Sequence, residues 1–267
     1  MKSLKIFAVV FCFYLLCTGA LNAQSLKGMS LNGSTGLYSI PTARTGWEGK
    51  SSFAFDLGYH AVISGGKASH IPKASLSLFK FIEINAALDI QGEQGLQLHA
   101  NDFLGGLKIQ FPLTKTALAL GGNVQALNLG ASEPNRYNAA QIYLAVTYSG
   151  NFFSMPAETT AVVGKSFSKN IPDWDIDFGM GFDLVLLPKF LDRYVHWIVD
   201  FANFSYSVKP WHVSASHRGV LNTGIRIDLS FIPPFKKFKF VIDVLATDIL
   251  DDNRAFALGA VFGIPVL

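Results

Sequence analysis

The chain has 267 residues, of which half are hydrophobic and 15% are charged, and its formal net charge is +3. So mild a balance excludes the concentrated basic stripe of a nucleic-acid binder, and the charged fraction falls well below the quarter or so usual in globular domains. Beyond the N-terminal segment, no apolar run reaches the roughly 18 residues that a membrane helix needs.

The first 23 residues read as a secretory signal. Lys2 and Lys5 precede an apolar stretch from Ile6 to Leu16, and Leu21-Asn22-Ala23 then leads to Gln24, so cleavage is expected after Ala23. A lipoprotein signal at Cys17 is the less favoured variant, because Leu16 is larger than the small residue such sites prefer. Cys12 and Cys17 are the two cysteines of the chain. With both inside this segment, the processed chain has no thiol for a disulfide or a sulfur-ligated metal, and no cofactor is expected.

Residues 24–50 are expected to form an N-terminal entry or plug-like segment, one that starts a sheet closed into a barrel or folds into its mouth. Gly33 and Gly36 permit turn conformations closed to other residues, and Pro41 stiffens an extended run.

Residues 51–267 carry strand alternation almost throughout. Twelve strands are predicted, near 52–60, 73–81, 82–90, 102–111, 116–127, 139–148, 157–166, 174–186, 194–203, 219–231, 237–249 and 255–266. Most match the 9–11 residues that cross a bilayer at a tilt. In the eighth, Trp174, Ile176, Phe178, Met180, Phe182, Leu184 and Leu186 point one way, while Asp175, Asp177, Gly179, Gly181 and Asp183 point the other. In the tenth, Leu221, Ile225, Ile227, Leu229 and Phe231 oppose Asn222, Gly224, Arg226, Asp228 and Ser230. A soluble sandwich also alternates, but its wet face is rich in Lys, Glu, Gln and Thr. Here the polar face is largely Gly, Ala, Ser, Asn and scattered Asp.

So apolar a set of strands survives in lipid only if the sheet closes on itself. The expected fold is therefore all-β, an antiparallel transmembrane barrel of about twelve strands with periplasmic termini. A ten-stranded barrel with longer loops fits the length as well. The expected location is the outer membrane of a diderm bacterium, with outer-membrane lipid and the barrel-assembly machinery as partners. Connections at 61–72, 91–101, 128–138, 167–173 and 205–217 read as external loops, and the shorter, Pro-marked ones as periplasmic turns. Tyr59, Tyr148, Trp174, Phe190, Tyr194 and Trp197 suit the lipid interface.

The inward face is acidic. Asp56, Glu83, Asp89, Asp175, Asp177, Asp183, Asp200, Asp228 and Asp243 outnumber Lys108, Arg226 and Lys239. Ionisable groups of a membrane protein survive by facing a lumen and pairing. A lumen charge network of Asp175, Asp177, Asp183, Asp200, Arg226 and Asp228 is expected, with Asp200 the best partner for Arg226. Eight strands are just filled by side chains and sixteen leave a wide channel, so twelve leave open whether the lumen conducts.

Catalytic chemistry has one weak candidate, His212-x-Ser214, with Ser216 and His217 nearby; such a cluster is more often a polar surface loop. His60, His70, His99 and His196 lack metal-like spacing, and Gly121-Gly122, Gly179 and Gly181 lack the Gly-Lys-Ser/Thr of a phosphate loop. They read as strand glycines.

Residues 32–49, N-G-S-T-G-L-Y-S-I-P-T-A-R-T-G-W-E-G, resemble the "TGL…PTA…G" motif of the YjbH/GfcD-type outer-membrane proteins associated with exopolysaccharide production. The segments V-H-W-I-V-D-F (195–201) and V-L-N-T-G-I-R-I-D-L (220–229) are similar to that family's acidic strand and "N-x-G-x-R" strand. The resemblance implies a non-enzymatic envelope barrel, a small pore or a component assisting polysaccharide export, with polysaccharide or export proteins as partners. A membrane-embedded lipid or ester hydrolase using His212 and Ser214, or a surface-loop binding protein, is the alternative.

Overall fold

The computed structural model describes residues 27–47, 51–64, 67–93, 98–129, 137–168, 176–191, 194–203, 219–233, 237–250 and 254–266. The signal segment, Asp175, Trp174, His212, Ser214, Ser216 and His217 lie outside the described residues.

Alternation along the strands sets the architecture. In the first strand Phe55, Leu57 and Tyr59 face out while Asp56 and His60 are buried. A sheet with one apolar and one polar face must separate lipid-like from polar surroundings, and closure is the way to do so without an open edge. Twelve antiparallel strands close in sequence order: β1 (Phe53–Ser64), β2 (Lys67–Leu78), β3 (Ile82–Glu93), β4 (Leu98–Pro112), β5 (Thr116–Leu127), β6 (Tyr137–Phe152), β7 (Met155–Phe167), β8 (Asp177–Val185), β9 (Val195–Ala202), β10 (Val220–Asp228), β11 (Lys239–Thr247) and β12 (Ala255–Pro265). The seam is β1 against β12, running from Ala54↔Pro265 to Ile63↔Phe256.

The twelve predicted strands all form, and three boundaries move for physical reasons. The expected loop 61–72 is mostly strand, because β1 and β2 pair as far as Ser64↔Lys67. Pro72 leaves one mark, a β2–β3 ladder interrupted between His70↔Ile90 and Lys73↔Ala87, while β1 pairs with Pro72 without a break. A missing proline N–H breaks one side of a ladder and leaves the other intact. The tenth strand stops at Asp228 instead of running to Phe231: the Asp228 carboxylate accepts the Ser230 N–H at 2.9 Å and caps a short 3-10 turn, Leu229–Phe231. The turn expected at 149–156 shrinks to Phe153-Ser154, both at positive φ, and Phe79-Lys80 makes a similar turn. Two consecutive left-handed residues suit the twist of a tight hairpin.

The mouth where β1 begins and β12 ends is called here the terminal mouth, and the other the far mouth. Strands β8 to β11 have eight or nine residues, whereas β4, β6 and β7 have thirteen to sixteen. The wall therefore stands unequal in height. Exposed Tyr59, Tyr148, Phe190 and Trp197 lie on the outer surface.

Candidate functional site: the filled lumen

Residues 27–47 occupy the interior of the barrel. Gly28, Gly33, Gly36 and Gly46 each come within close range of wall or neighbouring backbone atoms, and Met29, Ile40 and Ala43 have no exposed surface. The segment bonds to β1 through β4, β6, β7, β9 and β10. A stretch that touches wall on every side can only lie within it.

The segment folds on itself first. Asn32 Oδ1 accepts the Ser34 N–H at 3.0 Å and the Ser30 hydroxyl at 2.7 Å, a local turn that asparagine side chains favour. Isolated bridges Met29↔Thr35 and Gly36↔Pro41 tie its two limbs together. Gly33 sits at φ +87, and a Cβ there would stand 2.6 Å from the Ala86 carbonyl oxygen. A Cβ on Gly36 would stand 2.3 Å from the Ile40 carbonyl oxygen. Pro41 forms the bridge opposite Gly36. These three positions therefore serve compactness and close approach to the wall.

Four charged wall positions then fasten the segment. Glu83 on β3 accepts the Thr35 N–H at 2.8 Å and the hydroxyls of Ser34 and Thr35 at 2.7 and 2.5 Å. Lys108 on β4 pairs with Glu83 at 3.0 Å and donates to the carbonyls of Thr35 and Arg44 at 3.2 and 2.9 Å. Asp200 on β9 accepts the N–H groups of both Tyr38 and Ser39 at 2.8 Å, together with the Ser39 hydroxyl and the Asn222 amide. Arg226 on β10 donates to the carbonyls of Gly36 and Leu37 at 2.9 and 3.3 Å.

Toward the terminal mouth, Lys27 and Arg44 reach Glu158 of β7 at 2.6 and 3.3 Å. Trp47 Nε1 donates to Asp56 of β1, which is also paired with Lys239 of β11 at 2.7 Å. Lys73 and Asn85 donate to the carbonyls of Ser30 and Asn32, both at 2.7 Å. Burial and the carboxylates of Asp200 and Asp89 hold the Tyr38 phenol well above its ordinary titration range, so it stays protonated.

The expected partner of Arg226 was Asp200; the structure gives Asp243. The guanidinium is bidentate to that carboxylate at 2.7 and 3.0 Å, because the β10–β11 register sets Arg226 directly opposite Asp243. On the other side Asp200 lies opposite Asn222, and Arg226 lies opposite His196. The other expected network members are dispersed. Asp183 meets His196 Nδ1 at 2.5 Å, Asp177 accepts from Ser166 and Gln141 at 2.5 and 3.0 Å, and Asp228 caps the turn described above.

Sequence reasoning placed Glu83, Lys108 and Lys239 on the inner face without assigning them a task. It did not name Lys73, Glu158, Lys27 or Arg44 at all. Strand parity could have supplied Lys73 and Glu158; nothing local marks Lys27 or Arg44 as lumen groups. Among the described residues, no group of three or more His, Cys, Asp or Glu side chains is placed to hold a metal ion.

No protein-family model matches the chain, and no curated protein matches it. Solved structures do. The KdgM porin aligns over 79% of this chain and 99% of its own, at 8% identity and a TM-score of 0.51. The chain has a porin-like outer-membrane barrel fold. The KdgM porin in complex with disordered oligogalacturonate gives 7% identity and a TM-score of 0.50, with 79% and 99% covered. The outer membrane protein Omp33 of Acinetobacter baumannii gives 11% identity, 80% and 98% coverage and a TM-score of 0.42. Identities this low speak to fold alone.

Proposed function

We propose that this chain is a non-enzymatic outer-membrane pore, held closed at rest by its own segment 27–47, and that it assists passage of polysaccharide across the envelope. The observation that carries the reading is the fastening itself: a self-contained segment bonded to a polar wall through Glu83, Lys108, Asp200 and Arg226. A barrel sealed for good could be filled with apolar side chains. This wall, with its carboxylates, amides and ammonium groups, remains compatible with water once the segment leaves.

Both limbs of the segment return toward the terminal mouth, where Lys27 meets Glu158 and Trp47 meets Asp56. Withdrawal through that mouth needs no threading. With periplasmic termini, the plug would leave on the periplasmic side. The polysaccharide assignment rests on the resemblance of residues 32–49, 195–201 and 220–229 to the YjbH/GfcD-type proteins, and a barrel of similar fold has been captured with an oligogalacturonate.

Planar-bilayer recording tests the reading. The whole mature protein is expected to be silent or nearly so, and a Glu83→Gln, Asp200→Asn double variant to open in discrete steps. Steady conductance by the unaltered protein, or silence in a folded double variant, would overturn it.

A further inference from the structure

The turns of the terminal mouth carry side chains that the barrel's own packing does not use. Phe79, Phe153 and Leu187 sit at φ +53, +45 and +42, a left-handed conformation that strains a bulky residue. Glycine or asparagine would be relaxed there. Burial does not compensate, since these side chains are 54%, 83% and 57% exposed. Phe153 meets the Phe152 ring at 4.6 Å, and Phe79 meets those of Phe53 and Phe81 at 5.0 and 6.1 Å. Phe152 and Phe81 are exposed themselves, so these contacts widen an apolar rim without covering it. Among the described residues of the far mouth, the left-handed positions belong to Asn128 and Asp248, residue types at ease in that region.

The same rim is basic. Lys80, Lys115, Lys189 and Lys237 stand exposed on the β2–β3, β4–β5, β8–β9 and β10–β11 turns, and the described residues of these turns include no acid. Leu113 and Phe190, at 55% and 83% exposed, lie within two residues of Lys115 and Lys189, so apolar and ammonium groups are interleaved. The rim also continues the lipid-facing wall. Ile84 of β3 and Phe111 of β4, exposed on the outer surface, lead down to Phe81 and Leu113. An apolar surface that ends in cations matches the layer where acyl chains give way to phosphates.

We propose that the turns of the terminal mouth form a binding surface for anionic phospholipid headgroups. Lys80, Lys115 and Lys189 meet the phosphates, and Phe79, Phe153 and Phe190 enter the acyl boundary beside them. Lysines next to an anionic lipid surface are drawn to it, and the rings give the strained turn positions a partner outside the chain. An acidic protein would satisfy the lysines but not the continuity of the rings with the lipid-facing wall. The surface lies outside the lumen and does not depend on the pore reading.

The test titrates the full mature protein, delipidated in detergent, with phosphatidylglycerol and separately with phosphatidylcholine of the same acyl chains, counting bound lipid by native mass spectrometry. The parent is expected to bind phosphatidylglycerol about fivefold more tightly, the effect of roughly one lysine beside an anionic surface, and added salt should narrow the gap. A Lys80→Gln, Lys115→Gln, Lys189→Gln variant should bind the two lipids equally, whereas arginine at the same three positions should keep the preference. A Phe79→Gly, Phe153→Gly, Phe190→Gly variant should weaken both lipids alike. A heat-dependent gel shift confirms folding of each variant, and the salt series on the parent carries the comparison should the glutamine variant not fold. No preference in the parent, a preference that survives the glutamine substitutions or high salt, or unchanged binding in the glycine variant would overturn the proposal. The first of these results would leave the rim to a soluble acidic partner.

Discussion

Asp200 and Glu83 show how much a single carboxylate can hold when its partners are backbone N–H groups. Each gathers at least three bonds from residues 34–39, and hydrogen bonds to a charged group contribute about 1.5–3 kcal/mol apiece. Asp200→Ala is expected to loosen the segment by about 3 kcal/mol or more. Trypsin cleavage after Arg44, which is buried in the parent, reads the loosening directly, and persistent protection would contradict it. Gly33→Ala should act in the same assay at about 1–3 kcal/mol, since alanine is strained at φ +87 and meets the Ala86 carbonyl. Parity made Asp200 legible as an inward residue. Its task was not legible, because it binds backbone amides 161 and 162 residues away, and a backbone N–H leaves no trace in a sequence. The same gap sent Arg226 to the wrong aspartate. Alternation gives the face of a strand, whereas the choice between Asp200 and Asp243 depends on register.

Strands were more readable than turns. β5 was predicted to the residue at 116–127, and the wall's apolar period carried the rest to within a few positions. Residues 61–72, expected as a loop, include Pro72, a residue whose presence ordinarily argues against a central strand. In the barrel it is accommodated by surrendering pairing on the β3 side alone. Pro72→Ala restores a donor at that gap and is expected to stabilise the barrel by up to about 1 kcal/mol, the usual net worth of one such bond. Thermal unfolding in detergent checks this, and a lowered midpoint would mean that the proline's rigidity outweighs the bond it lacks. Asp228 failed differently: its own side chain ends β10 by capping the following turn, a competition between side chain and ladder that periodicity does not register.

Taken as a whole molecule, the barrel and its contents are joined by wall side chains but separable in their backbone pairing. All twelve strands pair with strands, and the bridges of residues 27–47 are made within that segment. Closure therefore should not require the inner segment, although filling the lumen should add to stability. Removing residues 27–47 strands Glu83, Lys108, Asp200 and Arg226 without their backbone partners. Each still keeps one wall partner, since Glu83 and Lys108 retain each other, Arg226 retains Asp243 and Asp200 retains the Asn222 amide, and water entering the emptied lumen solvates the remaining valences. The shortened chain is accordingly expected to keep a heat-dependent shift in gel mobility, as a closed barrel does, with the shift occurring at a lower temperature than in the full mature protein. Loss of the shift altogether would mean that the segment templates closure during folding, so that the wall's own ladder is insufficient. An unchanged transition temperature would mean that the buried polar contacts contribute nothing net, their attraction cancelled by the cost of drying the groups that make them.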